Sequence, residues 1–154
     1  MTGVQTCALP ISVIFDWYWR VSLEWGLANL ALAEGALDEA MTHAARLVKL
    51  ATATQERTWH GLSWEVQARV ALQLGAVTDA LHCIDKAMAA TQHFQTPLAD
   101  WRIHRTASEA YGLSGDAATA ARHAELAASK QAALAASLPN GSRLRDTLEA
   151  AIQG

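Results

Sequence analysis

Apolar positions along this chain return every three or four residues, the spacing that gathers them on one side of a helix. They do so in six stretches at about 17–34, 37–53, 57–74, 77–91, 97–114 and 117–137. The second stretch carries Leu37, Ala40, Met41, Ala44, Leu47 and Val48 as one stripe. Gly35, Gly75 and Gly115 stand forty residues apart between paired stretches, and each is followed five residues later by Ala40, Ala80 or Ala120. A glycine there suits a left-handed turn, so the unit reads as helix, tight turn, helix, repeated three times. Pro97 fits a first helical turn. Leu138, Pro139, Asn140 and Gly141 then break the pattern, and Ser142 can cap a short seventh helix with a stripe of Leu144, Leu148 and Ile152. Such a helix is expected to cover the open end of a stack. The first helix is apolar almost all round, with Val21, Leu23, Trp25, Leu27, Leu30 and Leu32. It therefore expects neighbours on more than one side, and self-association through residues 17–32 is predicted.

Composition narrows the class. The chain has 154 residues, 51% of them apolar, which excludes a disordered tail and fits one domain or one run of small repeats. About a fifth are alanine against three prolines, favouring closely approaching helices. Charged residues make up 18% and the formal net charge is −3; the segments 17–56, 57–96 and 97–136 carry −2, 0 and 0. With no basic stripe, the six tryptophans read as packing residues rather than a base-stacking surface for nucleic acid; Trp19 and Trp59 repeat at forty and Trp64 is the expected core member. Two cysteines exclude a disulfide framework and a four-thiolate zinc site, and agree with a reducing, cytoplasmic setting. No apolar run reaches the eighteen or so residues of a membrane span.

The segments ALAEGALDEAMTHAARL, ALQLGAVTDALHCIDKA and YGLSGDAATAARHAELA resemble the tetratricopeptide repeats, whose pattern runs W-x2-L-G-x2-Y, then A-x3-F. Trp64, Gln67, Ala68, Ala71, Ala80 and Ile84 fill the pattern's positions in the middle unit. His104, Ala107, Ser108, Tyr111, Ala120 and Ala124 fill them in the third, and Glu24, Leu27, Ala28, Ala31, Ala40 and Ala44 in the first. The resemblance implies an all-α, right-handed solenoid of three hairpins at 17–56, 57–96 and 97–136, with residues 137–154 as linker and capping helix. It further implies a concave face, built from the first helix of each hairpin, that holds a protein or peptide partner. The positions matching the family's binding columns are Trp25, Glu65 and Arg105, then Asn29, Arg69 and Glu109, with Arg102 at the rim. A period of forty departs from the family's thirty-four, Glu24 is a poor substitute for tryptophan, and the family's clamp for acidic C-terminal peptides is not reproduced.

A looser resemblance joins TWHGLSWEVQARVALQLG, FQTPLADWRIHRTASEAYGLSG and AASLPNGSRLRDTLEAA to the C-terminal repeat arm of large bacterial regulatory ATPases. It implies a truncated signalling or transcription-regulating protein with further N-terminal domains. Residues 1–11, MTGVQTCALPI, are similar residue for residue to the translation of a short-read sequencing adapter. They are expected to be non-native, with the natural gene continuing upstream of Ser12.

Candidate chemistry is sparse. The sequence has no G-x-x-x-x-G-K-[ST], H-E-x-x-H, C-x-x-C or G-x-S-x-G, so no catalytic residue and no cofactor is assigned. His43, Cys83 and His123 share one position of the repeat, but successive second helices pack about 8–10 Å apart, too far for shared metal bonds of about 2 Å. Cys83 reads as a small packing residue. The expected function is a non-enzymatic interaction module in the tail of a larger regulator. A self-standing adaptor or chaperone-like repeat protein is the alternative, and a small all-helical enzyme using His60 and His104 a more distant one.

Overall fold

A computed structural model describes residues 11–153, with side chains described for 16–147 and Ala150. These residues form seven helices and no strand: α1 (Ile11–Glu34), α2 (Leu37–Thr52), α3 (Arg57–Gln73), α4 (Val77–Thr91), α5 (Pro97–Ser114), α6 (Ala117–Ser137) and α7 (Arg143–Gln153). Residues 1–10 and 154 lie outside this description, and with them nearly all of the adapter-like segment. Helix α1 begins at Ile11, well before residue 17, since neither proline nor glycine interrupts residues 11–25.

The three repeated glycines end helices in one manner. Gly35, Gly75 and Gly115 take φ of +72°, +75° and +89°. The next amide then reaches back five residues: Ala36 to the carbonyl of Ala31 at 2.9 Å, Ala76 to Ala71 at 2.9 Å, and Asp116 to Tyr111 at 3.0 Å. Carbonyls that a helix end leaves unpaired are thereby satisfied and the chain is reversed. At helix starts, Asp116 accepts from the Thr119 amide at 3.0 Å, Glu56 from Thr58 at 3.0 Å and Ser142 from Arg145 at 3.3 Å. Hydrogen bonding to Thr119 holds the Asp116 carboxyl below its ordinary pKa.

Helices joined by these turns pack side by side as α1/α2, α3/α4 and α5/α6, and α3 also packs on α1, α2 and α5. One core joins Val21, Ala28, Ala31 and Leu32 of α1, Ala40, Ala44 and Leu47 of α2, and Val66 and Val70 of α3. A second joins Ala68, Ala71 and Leu72 of α3, Ala80, Cys83 and Ile84 of α4, and Ala107 and Ala110 of α5. Leu62, Ala87, Ala99 and Ile103 form a third. Alanines at Ala28, Ala40, Ala68 and Ala80 are fully buried, as close helix approach requires, whereas Ala120 is only half-buried. Among the described residues no helix covers α5/α6 as α3 and α5 cover the pairs before them. Among the described residues α7 packs on α6 and makes no contact with α5. Leu144, in its first turn, is exposed; the side chains of Leu148 and Ile152 lie outside the described residues.

Three side chains differ from expectation. Met41 is half exposed because the buried face of α2 runs through Ala40, Ala44, Leu47 and Ala51. Trp19 is 67% exposed, on a side of α1 that no other helix of the described residues covers. Trp64 is half-buried at the edge of two cores with the Lys86 ammonium 4.3 Å from its ring centre, and the buried tryptophan is Trp101.

Candidate functional site

The residues singled out on the first helix of each pair come together on one face made by α1, α3 and α5. Asn29 is anchored by donating from its Nδ2 to the Trp25 carbonyl at 2.7 Å, and its Oδ1 accepts from Arg69 Nη2 at 2.7 Å. Arg69 Nε lies 3.6 Å from Glu65 Oε1, one turn back on α3. That oxygen also accepts from the Thr106 hydroxyl of α5 at 2.9 Å. Asn29, Arg69, Glu65 and Thr106 thus tie α1, α3 and α5 through one polar row. Glu109 joins Asn29 and Arg69 around a shallow depression of 350 Å³.

Glu65 was expected to meet a partner directly, but only 1% of it is exposed and its carboxylate points into the α3–α5 interface. Its Oε2 is buried without a hydrogen-bond partner. The carboxylate instead offsets the arginines around it. Arg102 is the clearest case: burial lowers its pKa below the ordinary value, Glu65 opposes that, and Arg105 and Arg69 reinforce it. A guanidinium stays charged under these influences.

Arg102 and Arg105 rest on aromatic rings. Arg102 lies 5.3 Å from the centre of Trp25 and 4.6 Å from that of Trp101; Arg105 lies 5.0 Å from Trp101. Neither forms an ion pair with a carboxylate of the described residues. Beside them opens a groove of 540 Å³ lined by Tyr18, Trp25, Trp59, Leu62, Leu98 and Arg102. Tyr18 and Trp25 each meet Trp59 edge to face, with centres 6.3 and 6.4 Å apart. The groove is mostly apolar and holds one cation, Arg102, and one carboxylate, Glu56, which is occupied in part by the Thr58 amide at the start of α3. Trp59 and Tyr18 escaped sequence reasoning because repetition at forty marked Trp59 as packing. Their position on the α1–α3–α5 face needed the helix phase.

Histidines pair locally within hairpins. His43 Nδ1 lies 2.6 Å from Glu24 Oε2, and His104 Nδ1 lies 2.9 Å from His123 Nδ1. The second contact makes one ring a donor and the other an acceptor, so at least one is neutral. Burial lowers the pKa of both, helped at His104 by His123 and at His123 by Arg122. Tyr111 stacks on His123 with centres 5.4 Å apart. Cys83 is buried, which raises its thiol pKa. Among the described residues no group of three or more His, Cys, Asp or Glu side chains is placed to hold a metal ion, and no helix is long and apolar enough to cross a membrane. Comparison of the chain with protein-family models, with curated proteins and with solved structures gives no match.

Proposed function

We propose that this chain is a non-enzymatic interaction module: a tetratricopeptide-like array of three helical hairpins whose α1–α3–α5 face is the concave surface that holds a protein segment. The observation that carries the reading is the groove of Tyr18, Trp25, Trp59 and Leu98 with the Arg102 guanidinium at its end. Its aromatic walls suit an apolar side chain, and a guanidinium that forms no ion pair with a carboxylate of the described residues suits an acid beside it. The Asn29–Arg69–Glu65–Thr106 row supports the face from within. The larger role, as the tail of a cytoplasmic signalling or transcription-regulating ATPase, rests on the segments quoted above.

Peptide display against the immobilised chain tests the reading. The selected peptides are expected to carry an aromatic or aliphatic residue next to Asp or Glu. Titration calorimetry should then find that Arg102→Gln weakens them by about tenfold or more. Selected peptides that bind Arg102→Gln as tightly as the unaltered chain would overturn it.

A further inference from the structure

Helix α1 leaves bare the face that α3 and α5 bury. Forty residues on, Leu23 corresponds to Ser63 and then to Ile103; exposures are 60%, 0% and 2%. Leu30 corresponds to Val70 and Ala110, with 54%, 3% and 0%. Gly26 is exposed where Val66 and Thr106 are buried, and Trp19 is exposed where Ala99 is buried. In α3 and α5 this face lies against the preceding pair of helices: Val66 and Val70 in the core of α1/α2, Ala107 and Ala110 in that of α3/α4.

At the other end α5/α6 leave bare the face that the first two pairs bury. Ala124 is exposed where Ala44 and Ile84 are 1% exposed. Gly112 is exposed where Leu32 and Leu72 are buried, and Ser108 and Ala120 are half-buried where Ala28, Ala68, Ala40 and Ala80 are fully so. Helix α7 stays off α5, so it does not occupy the seat that α3 and α5 take on the pairs before them.

The two bare faces are the two halves of one interface that the chain already makes twice internally. We infer that a second copy of this chain is the occupant, docking head to tail so that the Trp19–Leu23–Gly26–Leu30 face of α1 seats on Ser108, Gly112, Ala120 and Ala124 of the next molecule. Small residues on the tail face admit the bulk of Leu23 and Leu30, as Ala40 and Ala44 admit Val66 and Val70 within the chain. Since the faces differ, the contact is heterologous: it propagates from copy to copy unless the rotation closes a ring. The inference rests on the repeat reading and shares only Gly26 with the groove's lining.

Analytical ultracentrifugation of the whole chain over a broad concentration range tests it. The mass is expected to rise with concentration past that of a dimer. A head variant, Leu23→Glu with Leu30→Glu, and a tail variant, Ala124→Glu, should each weaken association by about tenfold or more, because each brings bulk and charge into a close apolar contact. All three sites are exposed in the single chain, so helix content by circular dichroism should not change; Gly112→Glu is a second tail variant. The deciding step is to mix the head and tail variants. Each keeps one good face, so the mixture should form a heterodimer that grows no further. A monomer at every concentration overturns the inference. So does a dimer that the head variant abolishes and both tail variants leave intact, which is α1 pairing with α1. Selected peptides that still bind the head variant separate a failure here from a failure of the concave-face reading.

Discussion

Of the glycines inside helices where no turn requires them, Gly61 and Gly26 predict opposite effects of the same substitution. A Cβ on Gly61 of α3 would stand 2.6 Å from Thr91 Cγ2, 3.1 Å from Ala99 Cβ and 3.2 Å from Ile103 Cδ1. None of the three neighbours yields easily. The Thr91 hydroxyl is held by donating to the carbonyls of Ala87 and Met88 at 3.1 and 3.3 Å, which fixes its χ1. Ala99 Cβ moves only with its backbone, and Ile103 is buried. Overpacking costs about 1–3 kcal/mol, and contact below 3 Å with unyielding atoms belongs in the upper half of that range. Against it, alanine gains about 1 kcal/mol of helix propensity over glycine. Gly61→Ala should therefore destabilise by about 1–2 kcal/mol and lower Tm by about 3–6 °C. Gly26 in α1 has nothing within 4 Å of its Cβ position, so Gly26→Ala should stabilise by about 0.5–1 kcal/mol. Urea unfolding at dilute protein concentration, followed by tryptophan fluorescence and circular dichroism, measures both. A Gly61→Ala midpoint that rises alongside that of Gly26→Ala would refute the claim that α3, α4 and α5 touch through the absent side chain.

Glu65→Ala strips the counter-charge from beneath Arg69 and Arg102 and orphans the Thr106 hydroxyl. It should cost about 2 kcal/mol in a urea melt, with Glu65→Gln intermediate because its amide oxygen still accepts from Thr106. Burial lowers the pKa of His104 and His123 in the folded chain, so the unfolded chain takes up protons first. The stability they contribute is full above the unfolded pKa of about 6.5 and is lost as pH falls below it, approaching about 1.4 kcal/mol per pH unit for each proton bound only by the unfolded chain. His104→Phe should flatten the difference between midpoints at pH 7.5 and pH 5.5; an unchanged difference would assign the slope to other groups. Finally, Cys83 in a Cys7→Ser background should react with a thiol reagent about a hundredfold more slowly in the folded chain than in urea, since its thiol is buried and its pKa raised.

Helix boundaries after the start of α1 were legible in the sequence because glycine, proline and capping residues act locally; no such residue marks the start of α1 at Ile11. Gly35, Gly75 and Gly115 turn through positive φ with the same hydrogen bonds, and Ser142 caps α7. What a single helix presents to its second and third neighbours was not legible. Periodicity marks Met41 and Trp19 as apolar without saying that no helix reaches them, and it marks Glu65 as polar without saying that α5 closes over it. Small residues mislead in the other direction: Gly61 breaks no helix and belongs to no glycine period, yet three helices meet at it. The site divided in the same way. Trp25, Asn29, Arg69, Arg102, Arg105 and Glu109 share a face because the forty-residue spacing carries helix phase from one pair to the next. The groove beside them arises from Tyr18 and Leu98, which share one position of the repeat with the polar Thr58 between them, and from Trp59 at the next position, so no single apolar column marked it.

One slot recurs between residues nineteen apart: Glu24 touches His43 and His104 touches His123, while in the middle hairpin Trp64 packs against the core that holds Cys83. Nearly interchangeable hairpins carry a hazard, because a first helix can fold against the second helix of a neighbour, forty residues out of step. The slot's occupants make that slip costly. Glu24 set against Cys83 loses its imidazole in a half-buried site, His104 set against the same thiol loses its donor or acceptor, and Trp64 set against His43 displaces a carboxylate with an indole. Each mispairing strands a polar group away from water. The slot is therefore a key that differs from lock to lock, letting a run of alanine-rich helices count which partner is its own.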